Sequence, residues 1–250
     1  MKKGLVSVII PYYKKKNYFL RSFNSAYKQS YKKKEIIIIY DDENLEDLKF
    51  IKKIIKNKKN IKIIINKNNC GAGESRNIGI KKSNAEFIAF LDSDDVWVKD
   101  KIKIQINHML NKKVNFSFSS YKIIDNKNKI VGLRKVDKNL NYEKLLNSCD
   151  IGLSTVIMKK KLFNKKIMFP NIKTKEDYVL WLYLAKMNIE FYGIDKYLVK
   201  WRKTENSLSS NIFQKLTDGF IVYKKYMNFN YIKSFYYLLI LSINYLRKSY

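Results

Sequence analysis

Histidine, cysteine, proline, glycine and arginine are all scarce in this chain, and each scarcity excludes something. A single histidine, His108, rules out a multi-histidine metal centre and any chemistry that needs two imidazoles. Two cysteines, Cys70 and Cys149, in 250 residues cannot form a disulfide scaffold, and they stand in no CxxC or Cys/His zinc pattern. Eight glycines and two prolines are too few for a collagen-like or low-complexity linker chain. No apolar run reaches the roughly 20 residues of a membrane span. The most apolar stretch, 235–246, is interrupted by Ser242 and Asn244. The apolar run 5–10 is short and leads into Pro11-Tyr12-Tyr13 with no small-residue cleavage site, so no secretory signal is read. The expected location is cytoplasmic, with a peripheral position at the inner face of the cytoplasmic membrane as the second option.

Acidic residues are scarce too: 22 Asp and Glu stand against 51 Lys and Arg, a net charge of +29. Only five of the 51 are arginine. Nucleic-acid readers lean on arginine for bidentate contacts, so no specific nucleic-acid partner is expected. Runs such as Lys14-Lys15-Lys16 read as a lysine-filled solvated surface, with attraction to anionic lipid or RNA as the other meaning of the charge. The content of 46% hydrophobic and 14% aromatic residues is that of a folded chain long enough to bury a core without staples.

What is present alternates. Short β-branched runs occur at 6–10, 35–40, 61–65 and 87–91. Between them, Leu20, Phe23 and Tyr27, then Leu45, Leu48, Ile51 and Ile55, then Ile102, Ile106, Met109 and Leu110, fall at helical spacing. Strand–helix alternation predicts βαβ units, hence an α/β chain with a mostly parallel central sheet and flanking helices. The continuous apolar strands fit a sheet covered on both faces. Further strands are expected at 115–121, 130–133, 154–158, 191–194 and 197–202, a helix over 175–187, and two helices after 211. The expected organisation is one domain over 1–210 and a helical tail over 211–250, packed on the domain, at a membrane surface or in a homodimer interface.

Ligands of open α/β sheets bind beyond the carboxyl ends of the strands. Five of the few acidic residues fall just past two such ends: Asp41, Asp42, Asp92, Asp94 and Asp95. In Asp92-Ser93-Asp94-Asp95, carboxylates leaving a buried strand can converge on Mg²⁺ or Mn²⁺, which takes one or two carboxylates plus phosphate oxygens. The bland counterpart is an aspartate-rich helix cap. Asp42 is a candidate acceptor for a nucleobase N–H, with Tyr13 as a stacking plane. Alternatively, Asp41-Asp42 caps the helix beginning near Leu45. The loop Asn69-Cys70-Gly71-Ala72-Gly73-Glu74-Ser75-Arg76 lacks the GK[ST] of a Walker loop and does not follow the first strand as a dinucleotide fingerprint would. Arg76, on the first turn of its helix, can pair with Asp92 or with a phosphate.

These residues together resemble family-2 glycosyltransferases of the GT-A fold. The resemblance is carried by Val6-Ser7-Val8-Ile9-Ile10-Pro11-Tyr12-Tyr13, Ile39-Tyr40-Asp41-Asp42, Asn69-x-Gly71, Arg76-Asn77-x-Gly79 and Phe90-Leu91-Asp92-Ser93-Asp94-Asp95. It continues through Glu176-Asp177-Tyr178-x-x-Trp181-Leu182 and Trp201-Arg202-x-x-x-x-Ser207-Leu208-Ser209. The ordered set spans about 4–210. It implies an inverting transfer from a nucleotide sugar, a UDP-sugar first among them, to a saccharide or lipid-linked saccharide in bacterial surface-glycan synthesis. It implies nucleotide contacts at Pro11, Tyr13, Asp42, Arg76, Asp92, Ser93 and Arg202, with Asp94 on a Mn²⁺ or Mg²⁺ ion. Asp177 is implied as the catalytic base, Arg202 as part of a flexible loop closing on the diphosphate, and Glu176, Asp95 and Lys203 as supporting residues.

The chain also departs from the family pattern. Glu43-Asn44 replace the usual Gly-Ser after the aspartate pair, and Thr204 stands where the loop often has histidine, so a metal or phosphate role there is either absent or passed to Lys203. The Gln-x-x-Arg-Trp signature of processive synthases is missing, which favours a single transfer. The chemistry fits independently: a divalent cation stabilises a leaving diphosphate, and one carboxylate takes the acceptor proton. Acceptor selectivity is expected from about 121–174. Two other classes compete: a non-catalytic polybasic protein on RNA or anionic membrane, and a nucleotidyltransferase of similar architecture.

Overall fold

The computed structural model describes residues 1–138, 140–204 and 212–248. Strands β1 (Lys2–Tyr12), β2 (Lys34–Tyr40), β3 (Ile61–Ile65) and β4 (Ala85–Phe90) alternate with helices α1 (Lys16–Tyr27), α2 (Leu45–Ile55) and α3 (Gly71–Lys82). There follow β5 (Val96–Trp97), α4 (Lys101–Asn111), β6 (Phe116–Ile124), β7 (Ile130–Arg134), α5 (Tyr142–Asn147), β8 (Ile157–Lys159), α6 (Glu176–Lys186) and β9 (Tyr192–Arg202). The tail forms α7 (Ile212–Ile221), a π-helical continuation (Val222–Tyr226) and α8 (Tyr231–Lys248).

A single 9-stranded sheet runs in the order β3-β2-β1-β4-β8-β6-β9-β5, with β7 beside β6. β1 to β4 pair in parallel, β8 is antiparallel to β4 and β6, and β6 runs parallel to β9. Side chains alternate across a strand, and β1 shows how this divides the core. Val6, Val8, Ile10 and Tyr12 join one buried cluster with Phe19 and Phe23 of α1, Ile51 of α2 and Ile102 and Ile106 of α4. Ile9 faces the other way, with Ile37, Ile39 and Phe90, onto α6, α5 and the tail. Both faces are covered, and the strand ends are left as the place where polar side chains gather.

α3 lies close on β1. A Cβ at Gly79 would stand 2.6 Å from Cγ2 of Ile9. Gly79→Ala is therefore expected to destabilise the fold by about 1–3 kcal/mol through overpacking, partly offset by alanine's better helix propensity. At roughly 2–4 °C per kcal/mol for a chain of this size, thermal melting should register it. A Tm unchanged or raised would mean that Ile9 yields without cost.

Several local expectations change. β1 continues through Tyr12, so Pro11 lies inside the strand, opposite Ile39, and not beyond it. Residues 191–194 and 197–202 are one strand, because Asp195 and Lys196 are accommodated as a bulge between the Ile194↔Ser119 and Tyr197↔Ser120 pairs. Residues 153–155 form a 3₁₀ turn before β8, closed by the Thr155 hydroxyl on the Gly152 carbonyl at 2.6 Å. The short β5 and α5 carried no period long enough to announce them.

Candidate active site

The turn after β4 is built as a set of paired acids. Asp92 accepts from Nη2 of Arg76 at 2.7 Å. Its backbone N–H donates to Ser154 Oγ (3.1 Å), and its carbonyl accepts from Ser22 Oγ (3.0 Å). Ser93 is buried. Asp94 Oδ2 pairs with the Lys15 ammonium at 2.8 Å, and the same ammonium donates to Thr204 Oγ1 at 3.3 Å. Burial raises the pKa of Asp94 against the pull of Lys15. Asp95 is fully enclosed. Its Oδ1 accepts from the Arg202 backbone N–H at 2.8 Å, while Oδ2 makes no hydrogen bond of good geometry among the described residues. Burial, then the neighbouring Asp94 and Asp92, push the pKa of Asp95 well above the ordinary carboxylate value.

Arg76 joins two acidic clusters far apart in sequence. α3 begins at Gly71, whose φ of +83° suits glycine, so Arg76 sits on the second turn and not the first. Its Nη1 donates to Glu176 Oε1 at 2.6 Å while Nη2 holds Asp92. The guanidinium is 3% exposed and lies over the Phe169 ring, 5.5 Å from its centroid. Burial opposes its charge, but Asp92 and Glu176 outweigh that and hold it protonated more firmly than usual.

Asp177 follows Glu176 at the start of α6. Its Oδ1 accepts the Tyr178 backbone N–H at 2.7 Å. Burial first, then the charge of Glu176, raise its pKa to about 7, with Arg76 opposing and Asp92 adding to the rise. The residue before the pair, Lys175, is held at φ +66°, in the left-handed region.

On the β1–β2 side, Asp42 accepts from the Lys14 backbone N–H (2.8 Å) and the Asn44 N–H (3.2 Å). It lines a groove of about 280 Å³ with Lys14, Lys15, Tyr18, Asn44 and Asp47. Tyr13 is 40% exposed, with the Lys14 ammonium 5.0 Å from its ring centroid. Asp41 and Asp42 do not cap α2. Asn44 does, accepting from the N–H groups of Glu46 and Asp47. Asp41 instead binds the start of α3, through the N–H groups of Cys70 and Gly71 at 2.9 Å each and Asn66 Nδ2 at 2.7 Å.

Arg202 ends β9 and is not on a loop. It is buried, with Nε on the Asp94 carbonyl (3.0 Å), Nη1 on the Asp125 carbonyl (2.6 Å) and Nη2 on Asn128 Oδ1 (2.7 Å). Tyr18 packs against it at 4.7 Å. Nε, Nη1 and Nη2 each donate to protein, so in this conformation Arg202 braces the acidic turn. Lys203 is exposed, its N–H on the Ile124 carbonyl at 2.9 Å. Ser207, Leu208 and Ser209 lie outside the described residues.

Sequence reasoning missed Lys15, Tyr18, Ser22 and Ser154. The two serines carried no signal. Lys15 was hidden in a lysine run within a lysine-rich chain. Among the described residues no group of three or more His, Cys, Asp or Glu side chains could hold a metal ion. Asp92 and Asp94 remain as two hard oxygen donors. That donor set fits Mg²⁺ or Mn²⁺ arriving with phosphate oxygens of their own, and in this structure Asp94 is paired with Lys15.

Comparison with known proteins bears on the family and the fold. The family model described as glycosyl transferase family 2 matches residues 7–169. The chain is 36% identical over 237 residues, 94% of its own length and 91% of the relative's, to the Escherichia coli UDP-Glc:alpha-D-GlcNAc-diphosphoundecaprenol beta-1,3-glucosyltransferase WfgD. Its fold matches S. aureus TarS, solved in complex with UDP-GlcNAc, with a TM-score of 0.72 at 22% identity over 93% of this chain and 70% of that one. It also matches the mannosyltransferase PcManGT from Pyrobaculum calidifontis, solved with GDP-Man and Mn²⁺, with a TM-score of 0.70 at 12% identity over 93% and 69%. With the paired acids at the strand ends and these likenesses together, the chain belongs to glycosyl transferase family 2 and has the GT-A fold.

Proposed function

We propose that this chain transfers a sugar from a UDP-sugar, with inversion, to a hydroxyl of a saccharide carried on a polyprenyl diphosphate. The observation that carries the reading is the Arg76 bridge between Asp92 and Glu176, which ties the start of α6, where Asp177 follows Glu176, to the acidic turn; in this reading the turn suits the donor and Asp177 the acceptor. The activity of WfgD supports the donor and acceptor classes.

In this reading the donor lies across the carboxyl ends of β1, β2 and β4. Asp42 accepts from the base, Tyr13 flanks it, and Pro11 shapes the end of β1 beneath. Asp92 faces the ribose or sugar, and Asp94 with Asp92 would hold the divalent ion. That ion supplies Lewis-acid stabilisation of the leaving diphosphate when bound. Asp177 takes the proton of the acceptor hydroxyl as its oxygen bonds to the anomeric carbon and the bond to the diphosphate breaks. Attack opposite the leaving group inverts the anomer.

Thermal melting tests the donor half. UDP is expected to raise Tm more strongly with Mn²⁺ than with chelator, since a ligand at about 100 times its Kd adds roughly 2.7 kcal/mol. Asp94→Asn should remove the difference. Equal stabilisation of both proteins by UDP in chelator would refute the metal assignment.

A further inference from the structure

The C-terminal helices present a surface that the proposed chemistry does not use. α7, α8 and the π-helical turn between them pack on the domain through Val222, Tyr223, Met227 and Leu241. Their outer face is apolar and open: Phe213 and Ile232 are each 84% exposed, Tyr231 70% and Phe235 64%. Between the helices runs a groove of about 600 Å³, lined by Leu216, Phe220, Ile221, Phe235, Leu238 and Leu239. Gly219 permits the close approach, since a Cβ there would stand 2.8 Å from Leu238 Cδ1.

The charge around this face has one sign. From residue 219 to the end of the chain there is no Asp or Glu, while Lys224, Lys225, Lys233, Arg247 and Lys248 are basic. The ammonium of Lys224 lies 4.5 Å from the Tyr231 ring centroid, that of Lys233 4.3 Å from Phe229, and that of Lys215 5.1 Å from Tyr245. Lysine charges thus lie over the aromatic rings of this face. No helix among the described residues is long and apolar enough to cross a membrane. An exposed apolar face edged by lysine and aromatic rings is instead the make-up of a helix lying in a lipid interface.

The same helices are anchored beside the acidic pair. Asp218 of α7, buried, accepts from the Thr174 N–H at 2.9 Å and from its hydroxyl at 2.7 Å. Thr174 and the left-handed Lys175 lead directly into Glu176-Asp177.

We propose that the α7–α8 face docks on an anionic lipid bilayer, its apolar residues at the acyl boundary and its lysines among the headgroups. Docking there holds the start of α6, which α7 anchors through Asp218 and Thr174, near an acceptor carried in the same bilayer. The docking stands on the surface itself, and only that placement rests on the proposed function.

Co-sedimentation with vesicles tests it, using the full chain, phosphatidylglycerol-containing and pure phosphatidylcholine vesicles, and low and high salt. The chain is expected to pellet with the anionic vesicles at low salt and to be released by high salt. The triple variant Phe213→Ser, Ile232→Ser, Phe235→Ser removes only exposed apolar groups. It should keep its Tm and bind at least roughly tenfold more weakly, a loss far smaller than three such side chains can account for. Its turnover on an acceptor with a short, water-soluble chain should match wild type. Absence of binding at low salt, or binding unaffected by the triple variant, overturns the proposal. So does a homodimer in solution that the same substitutions dissociate, because the face would then be occupied by a second copy. If neither protein turns over any acceptor while the vesicle results hold, the proposed function fails and the docking survives.

Discussion

Asp177→Asn is expected to lower kcat by about 10²–10⁴-fold, the usual cost of removing a general base, while leaving UDP affinity near wild type. The substitution keeps the shape and the acceptor for the Tyr178 N–H, which Asp177 Oδ1 holds at 2.7 Å. Only basicity is lost. Glu176→Gln should cost less, because an amide oxygen can still accept from Arg76. The pH profile provides an independent readout. Burial and Glu176 raise the Asp177 pKa from 3.8 to about 7. A base works only when ionised, so kcat/KM should climb with pH and level off above about 7. Stability moves the opposite way. A carboxyl whose folded-state pKa lies above its unfolded value loses stabilisation as pH rises from about 4 through about 7. The base therefore reaches its working form at the expense of the fold. An acid limb near 4, or an Asp177→Asn enzyme at near wild-type rate, removes Asp177 from the role. Product of retained configuration does the same.

The parts of this architecture that were legible in the sequence are those with a period or a position. The continuous apolar run of β1 predicted a strand covered on both faces, and the structure buries Val6, Val8 and Ile10 on one side and Ile9 on the other. The rule that ligands gather at strand ends selected the Asp92–Asp95 turn, because acids are rare in a chain of net charge +29. The pairing of Arg76 with Asp92 followed from opposite charges near one strand end. Its second partner, Glu176, lies 100 residues away and no local pattern could announce it. Arg202, implied by the resemblance as part of a flexible loop, is the buried last residue of β9, and sequence position alone does not say which carbonyls a guanidinium will meet. Lys15 looked like any lysine of its run. What sets it apart is that the β1–α1 turn, with Lys14 at φ +49°, points it back at Asp94. Asn44 was legible in retrospect, since an asparagine followed by Glu46 and Asp47 is a capping sequence.

Arg76→Met is expected to be the most damaging substitution to the fold outside the apolar core. It removes the one cation shared by Asp92 and Glu176, both partly buried, with side chains 31% and 12% exposed. Breaking a buried pair from one side typically costs about 3–5 kcal/mol, because the remaining charge loses its partner without regaining water. At roughly 2–4 °C per kcal/mol, Tm should fall by about 6–20 °C. Arg76→Lys should recover only part of that, since a point ammonium cannot reach two carboxylates in the planar geometry of a guanidinium. The triple variant Arg76→Met, Asp92→Asn, Glu176→Gln decides the cause. If charge imbalance drives the loss, neutralising both acids should restore much of the stability that Arg76→Met removes. If the loss comes instead from missing contact with the Phe169 ring, the triple variant stays as unstable as the single one. The pH profile of a folded Arg76→Lys enzyme extends the test to chemistry. Arg76 lowers the pKa of Asp177 against burial and Glu176, so weakening that pull should move the acid limb of kcat/KM upward from about 7. A limb that stays in place would confine Arg76 to holding the two acidic segments together.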